Sequence, residues 1–295
     1  MYLWTAFFAY FLYAINGVAD KFLLTRAVRH PVVYAFYIGI TGMLTWFLAP
    51  FGLKVVGLGD FFVALVGGAC FVLALYFYYG AIQATSISRI LPIEGGFVPL
   101  FTLLLAYLIL GERLAGPQLW AFVFLVGGAV LISFKKDSSG WHPRALGGGI
   151  AAAFLFALSF TLTKYIFQET NFVSGLIWTR LGFLLASLCF LLSAANRRHI
   201  FSAPKETSSG NKLLYYGTRL TGGAAGLLQN YSIAIGSVTI VNAMQGSQYA
   251  LLLVLTVWLS KFYPKILKER IRGLFLAQKI FAIIMISYGL WLLTR

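Results

Sequence analysis

Glu94 stands inside an apolar run, between Pro92 and the pair Gly95-Gly96, with Pro99 about a turn further on. An ionisable side chain in hydrocarbon costs about 3 kcal/mol on insertion scales, so its presence points to a function or to a satisfying partner. Prolines and glycines interrupt the backbone ladder and let helices approach, which predicts a kinked helix beside a cavity. A carboxyl in such surroundings is a candidate to take up and release protons, and so to couple proton flow to solute movement. The alternative is a protonated carboxyl bonded to a neighbouring helix, or a pair with Arg180.

Uncharged polar residues collect elsewhere in the apolar sequence. Asn242, Gln245 and Gln248 or Tyr249 recur at three- to four-residue spacing, which places them on one helix face. With Gln229 and Asn230 they form the densest uncharged polar cluster. Amides can orient a zwitterionic or hydroxylated substrate without net charge; the competing role is hydrogen bonding between helices. Arg180 follows Trp178 and Thr179, and a guanidinium there presents a fork that matches a carboxylate or phosphate. Arg219 is similar, or snorkels to the interface. Tyr76, Tyr78 and Tyr79 either line a site for an aromatic or hydrophobic substrate or belong to an interfacial belt. Lys21 and Lys164 are expected to anchor helix ends, and Asn16 and Asp20, one turn apart, to line an entrance. His30, His142 and His199 fall in loops without ligand spacing. Cys70 and Cys189 lie in apolar runs and offer neither a disulfide framework nor a metal site.

The elements that must hold these residues follow from composition. The chain of 295 residues is 60% hydrophobic and 11% charged, too apolar to cover a water-soluble globule. Its mean hydropathy is +0.85. Continuous apolar runs such as Leu119 to Phe134 exclude the alternating pattern of a membrane barrel, leaving helices as the structure that satisfies its own backbone in lipid. Spans of about 20 residues are expected at 3–24, 32–52, 60–80, 86–110, 118–135, 145–167, 172–194, 213–235, 237–260 and 273–294. The weakest boundary is Ile235-Gly236-Ser237. The polar stretch from Ser202 to Lys212 reads as a loop. The first apolar run reads as a helix rather than a cleaved leader.

The net charge of +15 would suggest nucleic acid on a soluble protein. Here the basic residues gather at helix ends, where they meet anionic lipid, so nucleic acid is not an expected partner. Loops 1–2, 5–6, 7–8 and 9–10 hold most of them, including Arg26, Lys135, Arg197 and Lys265. The opposite side holds only Lys54, Arg113 and Arg295. By the positive-inside rule the first set is cytoplasmic and both termini lie outside.

An internal repeat is visible. Ser86 to Gly95 aligns with Ser237 to Gly246, which pairs Glu94 with Gln245. Gly111-Glu112-Arg113-Leu114 has a partner in Lys268-Glu269-Arg270-Ile271. Residues 1–139 then form one five-helix repeat and 140–295 a second. An odd number of spans inverts the second, as in secondary transporters.

With ten spans in two repeats, a Ser-x-Ser opening at Ser86 and Leu110-Gly111-Glu112-Arg113-Leu114 closing helix 4, the chain resembles the EamA-type transporters of the drug/metabolite superfamily. The second half departs from the pattern, with Leu259-Ser260-Lys261 where the family has Leu-Gly-Glu. The family is usually drawn with both termini cytoplasmic, the reverse of the charge count. The resemblance implies a multi-pass protein of the plasma (inner) membrane that moves a small metabolite such as an amino acid, with export the expected direction. A lipid or lipid-linked-sugar flippase and a nucleotide-sugar-type exchanger are the alternatives on the same fold. Protons are the candidate coupling ion. The expected substrate contacts are Glu94, Gln245, Asn242, Arg180, Gln229, Asn230 and Tyr79. No cofactor or metal is expected, the chain is not expected to be an enzyme, and monomer and homodimer both remain open.

Overall fold

The computed structural model describes the chain except residues 24–29, 86, 135–142, 203–211, 261, 263–273 and 295. The basic loops at Arg26, Lys135, Lys205 and Lys265 therefore lie outside the described residues, as does His142. Every regular element among the described residues is helical: α1 Tyr2–Leu23, α2 Pro31–Thr41 continuing as a 3-10 helix Gly42–Phe51, α3 Leu58–Ala84, α4 Ile87–Leu105 ending in a π turn Ala106–Leu110, α5 Gly116–Ser133, α6 Pro143–Glu169, α7 Phe172–Phe190, α8 Ala194–Ser202, α9 Lys212–Ile235, α10 Val238–Ala243, α11 Gln245–Ser260 and α12 Leu274–Leu292.

Local chemistry sets many of the ends. Pro31 occupies the first turn of α2, where its missing N–H costs nothing. Asn171 caps α7 by accepting from the Ser174 N–H at 2.8 Å, and Ser237 caps α10 by accepting from the Ile240 N–H at 3.0 Å. Gly111 ends the π turn of α4 at φ 66°, a left-handed conformation that glycine adopts without strain.

Among the described residues, seven helical stretches are long and apolar enough to cross a membrane: 31–51, 58–84, 90–110, 116–133, 143–169, 172–190 and 238–260. Helices α1 and α12 add the shorter apolar stretches Tyr2–Val18 and Leu276–Leu292. Helix α9 has 24 residues, but Lys212, Arg219, Gln229 and Asn230 make it too polar for that group.

Two compact units divide the chain, and they do not follow its sequence halves. The first takes Met1–Ala27, Arg113–Lys136 and Thr207–Arg295; the second takes Val28–Glu112 and Asp137–Glu206. In the first unit α1 packs on α9 and α11, and α5 packs on α12 and α11. In the second, α3 packs on α6, α7 and α2, and α4 lies on α6. Glycines set these crossings. A Cβ at Gly68 would sit 2.0 Å from the Thr179 carbonyl oxygen, one at Gly182 2.3 Å from that of Leu65, and one at Gly128 2.6 Å from Ile286. Of the pair Gly222-Gly223, only Gly222 meets a neighbour, the Asn16 amide.

The break after α7 holds more structure than a loop. Helix α8 docks on α2 through Ile200, which is fully buried against Val32, Val33 and Phe36. The Tyr37 hydroxyl donates to the Ile200 carbonyl at 3.2 Å. His199 is therefore helical, and its ring stacks on His30 with centroids 3.6 Å apart. The expected span 237–260 is also interrupted, at Met244 between α10 and α11.

Candidate functional site

Glu94, Tyr79 and Arg180 belong to the second unit. On α4, Glu94 is half-buried and lies one turn from Ile90 and one turn from Val98, which are 1% and 2% exposed. The strip that carries Phe97, Leu100 and Leu104 is the exposed one. The carboxyl is thus set on the inward strip of its helix. Pro92 and Pro99 both stand within α4 without ending it; the ladder changes only later, at the π turn.

Arg180 lies at the middle of α7. Its guanidinium sits 4.1 Å above the Phe183 ring, a cation–π contact. Phe183 in turn stacks on Phe71 at 4.7 Å, and Phe71 meets Phe156 and Phe160 edge-on. The stem of Arg180 faces Gly42, where α2 tightens into the 3-10 helix; a Cβ there would come within 3.1 Å of its Cδ. Tyr79 stacks on Tyr34 of α2 at 4.6 Å, and Tyr78 contacts Phe156. Tyr78, Tyr79, Phe71 and Phe183 are therefore built into one aromatic interior, and Arg180 rests on its Phe183 ring, while Tyr76 is exposed and meets Phe190.

Lys164, expected to anchor a helix end, is instead buried at 8% exposure, and Glu112 attracts its ammonium. Removing the carboxylate leaves the buried ammonium less well compensated, so the electrostatic coupling of the two is best tested by restoring neutrality. Glu112→Gln is expected to lower the unfolding temperature in detergent, and Lys164→Met added to it is expected to recover most of the loss. A double variant no more stable than the single would remove the pair from the account.

Gln229, Asn230, Asn242 and Gln245 belong to the first unit. The Tyr13 hydroxyl donates to Gln229 Oε1 at 3.1 Å, and Gln229 Nε2 donates to the Tyr10 hydroxyl at 3.4 Å. Asn230 donates to the Gly226 carbonyl of its own helix at 2.8 Å. Gln245 donates to the Tyr249 hydroxyl at 3.0 Å along α11, and Asn242 is 1% exposed. Asn16, expected at an entrance, is buried and accepts from Thr221. Gln229 is thus bonded across to α1, while Asn230 and Gln245 bond within their own helices. Sequence reading passed over Tyr10 and Tyr13. Their spacing with Asn16, three residues each time, is the signal that would have found them.

Along nearly its whole length the chain has the fold of a protein of known crystal structure. The two share 17% identity, the match covers 99% of this chain and 98% of the other, and the TM-score is 0.70. Residues 1–134 are similar to the EamA-like transporter family, whose model matches that part of the chain. No curated protein matches the chain.

Proposed function

We propose that the protein is a secondary active transporter of a small polar or amphipathic metabolite, such as an amino acid, and exports it across the plasma (inner) membrane by alternating access. The observation that carries this reading is Glu94: an acid within an apolar helix of the EamA-type half, set on the strip of buried Ile90 and Val98 rather than the exposed one. An intramembrane acid held away from lipid is the usual mark of an ion or substrate path. In this reading Glu94 is the coupling acid and Arg180 receives the anionic group of the substrate. Tyr79 adds an aromatic surface in the same unit; in the first unit Asn242, Gln245 and Asn230 are the neutral polar groups offered to solute. Helix α9, too polar for lipid, serves as a lining span. With α1 and α12 it brings the spans to ten, in two inverted five-helix repeats.

The test is counterflow in proteoliposomes. Purified protein preloaded with unlabelled solute is expected to accumulate the labelled form of at least one member of an amino-acid panel, while a fluorescent phospholipid stays in its leaflet. Movement of the lipid without any solute would replace the transporter by a flippase.

A further inference from the structure

Three side chains and one backbone carbonyl form a directed chain through the first unit. Tyr13 donates to Gln229 Oε1, Gln229 Nε2 donates to Tyr10, and Tyr10 donates to the Val241 carbonyl at 2.8 Å. The links join α1, α9 and α10, helices whose partners stand more than 200 residues apart in sequence. Tyr10 is 2% exposed, Gln229 8% and Val241 0%. The chain also fixes the amide: with Oε1 accepting and Nε2 donating, Gln229 has one orientation that satisfies both tyrosines.

The end point of the chain is the informative part. Val241 lies in the six-residue helix α10, and the helix is interrupted three residues later, at Met244, before α11 resumes at Gln245. In the internal repeat Met244 aligns with Ile93, next to Pro92 of α4. As mere adhesion between helices a single hydrogen bond in a membrane contributes little. Three in series that terminate on the backbone just before a helix break do something more specific: they hold the short segment in place while the break leaves it free to pivot.

We infer that Tyr10 is a positioning residue that pins α10 at a hinge centred on Met244, and that Gln229 acts through Tyr10 rather than on the solute. This rests on the transport reading only for its purpose; the hinge itself is a property of the folded chain. Discontinuous helices at the midplane are where transporters move, and a pin on one side of the break sets the segment's resting position.

Hydrogen exchange of the full-length protein in nanodiscs tests this without any substrate. Tyr10→Phe removes one hydroxyl and is expected to speed exchange over residues 238–244 about fivefold, the equivalent of one net hydrogen bond, with α12 unchanged. Gln229→Leu is expected to do the same, and the double variant to add little to either single, because the links act in series. In counterflow with a transported solute, Tyr10→Phe is expected to change the turnover and leave half-saturation in place. Unchanged exchange over 238–244, a rise spread evenly over the first unit, or additive effects in the double variant would each overturn the hinge. Failure of counterflow alone, with the exchange result intact, would count against the transport reading and not against the pin.

Discussion

Gly182→Leu will prevent the second unit from folding, and Gly68→Leu will do the same. A Cβ at Gly182 would lie 2.3 Å from the Leu65 carbonyl oxygen and one at Gly68 2.0 Å from that of Thr179. Those atoms are backbone, in the helices that face each glycine, so neither can rotate away as a side-chain end would. The only relief is to separate α3 from α7. Overfilling a packed interior where side chains can adjust costs about 1–3 kcal/mol; with backbone as the obstacle the cost is expected at the top of that range even for alanine. Leucine should leave no monodisperse protein in detergent, and alanine should lower the unfolding temperature sharply. Gly147→Ala and Gly223→Ala are the controls, because nothing lies within 4 Å of a Cβ at either position. A Gly182→Leu protein that unfolds at the temperature of these controls would show that α3 and α7 do not cross as described.

The second large effect is expected at Arg180. Its guanidinium rests on Phe183, which is itself held by Phe71, so the cation is presented by a rigid aromatic stack. A charge-assisted hydrogen bond contributes about 1.5–3 kcal/mol, so Arg180→Gln should weaken binding of a carboxylate-bearing solute by about 10- to 100-fold. Arg180→Lys should fall between, since it keeps the charge and loses the planar fork. The decisive comparison is between the solute and an analogue without the anionic group. Wild type should discriminate between them, and Arg180→Gln should not. Were Arg180 only a packing residue, the substitution would lower the unfolding temperature and leave that discrimination untouched.

Helix ends were the most legible feature of the sequence, because local residues punctuate them. The weakest boundary, Ile235-Gly236-Ser237, is where α9 ends and α10 begins, with Ser237 as the cap. Gly111 ends the π turn of α4. Which face of each helix turns inward was less legible. In lipid the outward face is as apolar as the core, so Leu100 and Val98 look alike in sequence although one is exposed and the other buried. Features made by distant partners were not legible at all. His199 gives no sign of stacking on His30, nor Lys164 of being buried within reach of Glu112. Nor does Tyr10 announce a bond to a carbonyl 231 residues away. The interruption at Met244 has neither proline nor glycine at its centre; Gly246 stands two residues on.

The central claim is that Glu94 couples solute movement to protons, and one measurement addresses it most directly. Proteoliposomes holding wild type or Glu94→Gln are given an imposed pH gradient and a labelled solute from the transported panel. Wild type is expected to concentrate the solute above equilibrium, whereas Glu94→Gln should still exchange it in counterflow but only equilibrate it. Concentration by Glu94→Gln to the wild-type level under the same gradient would contradict the claim.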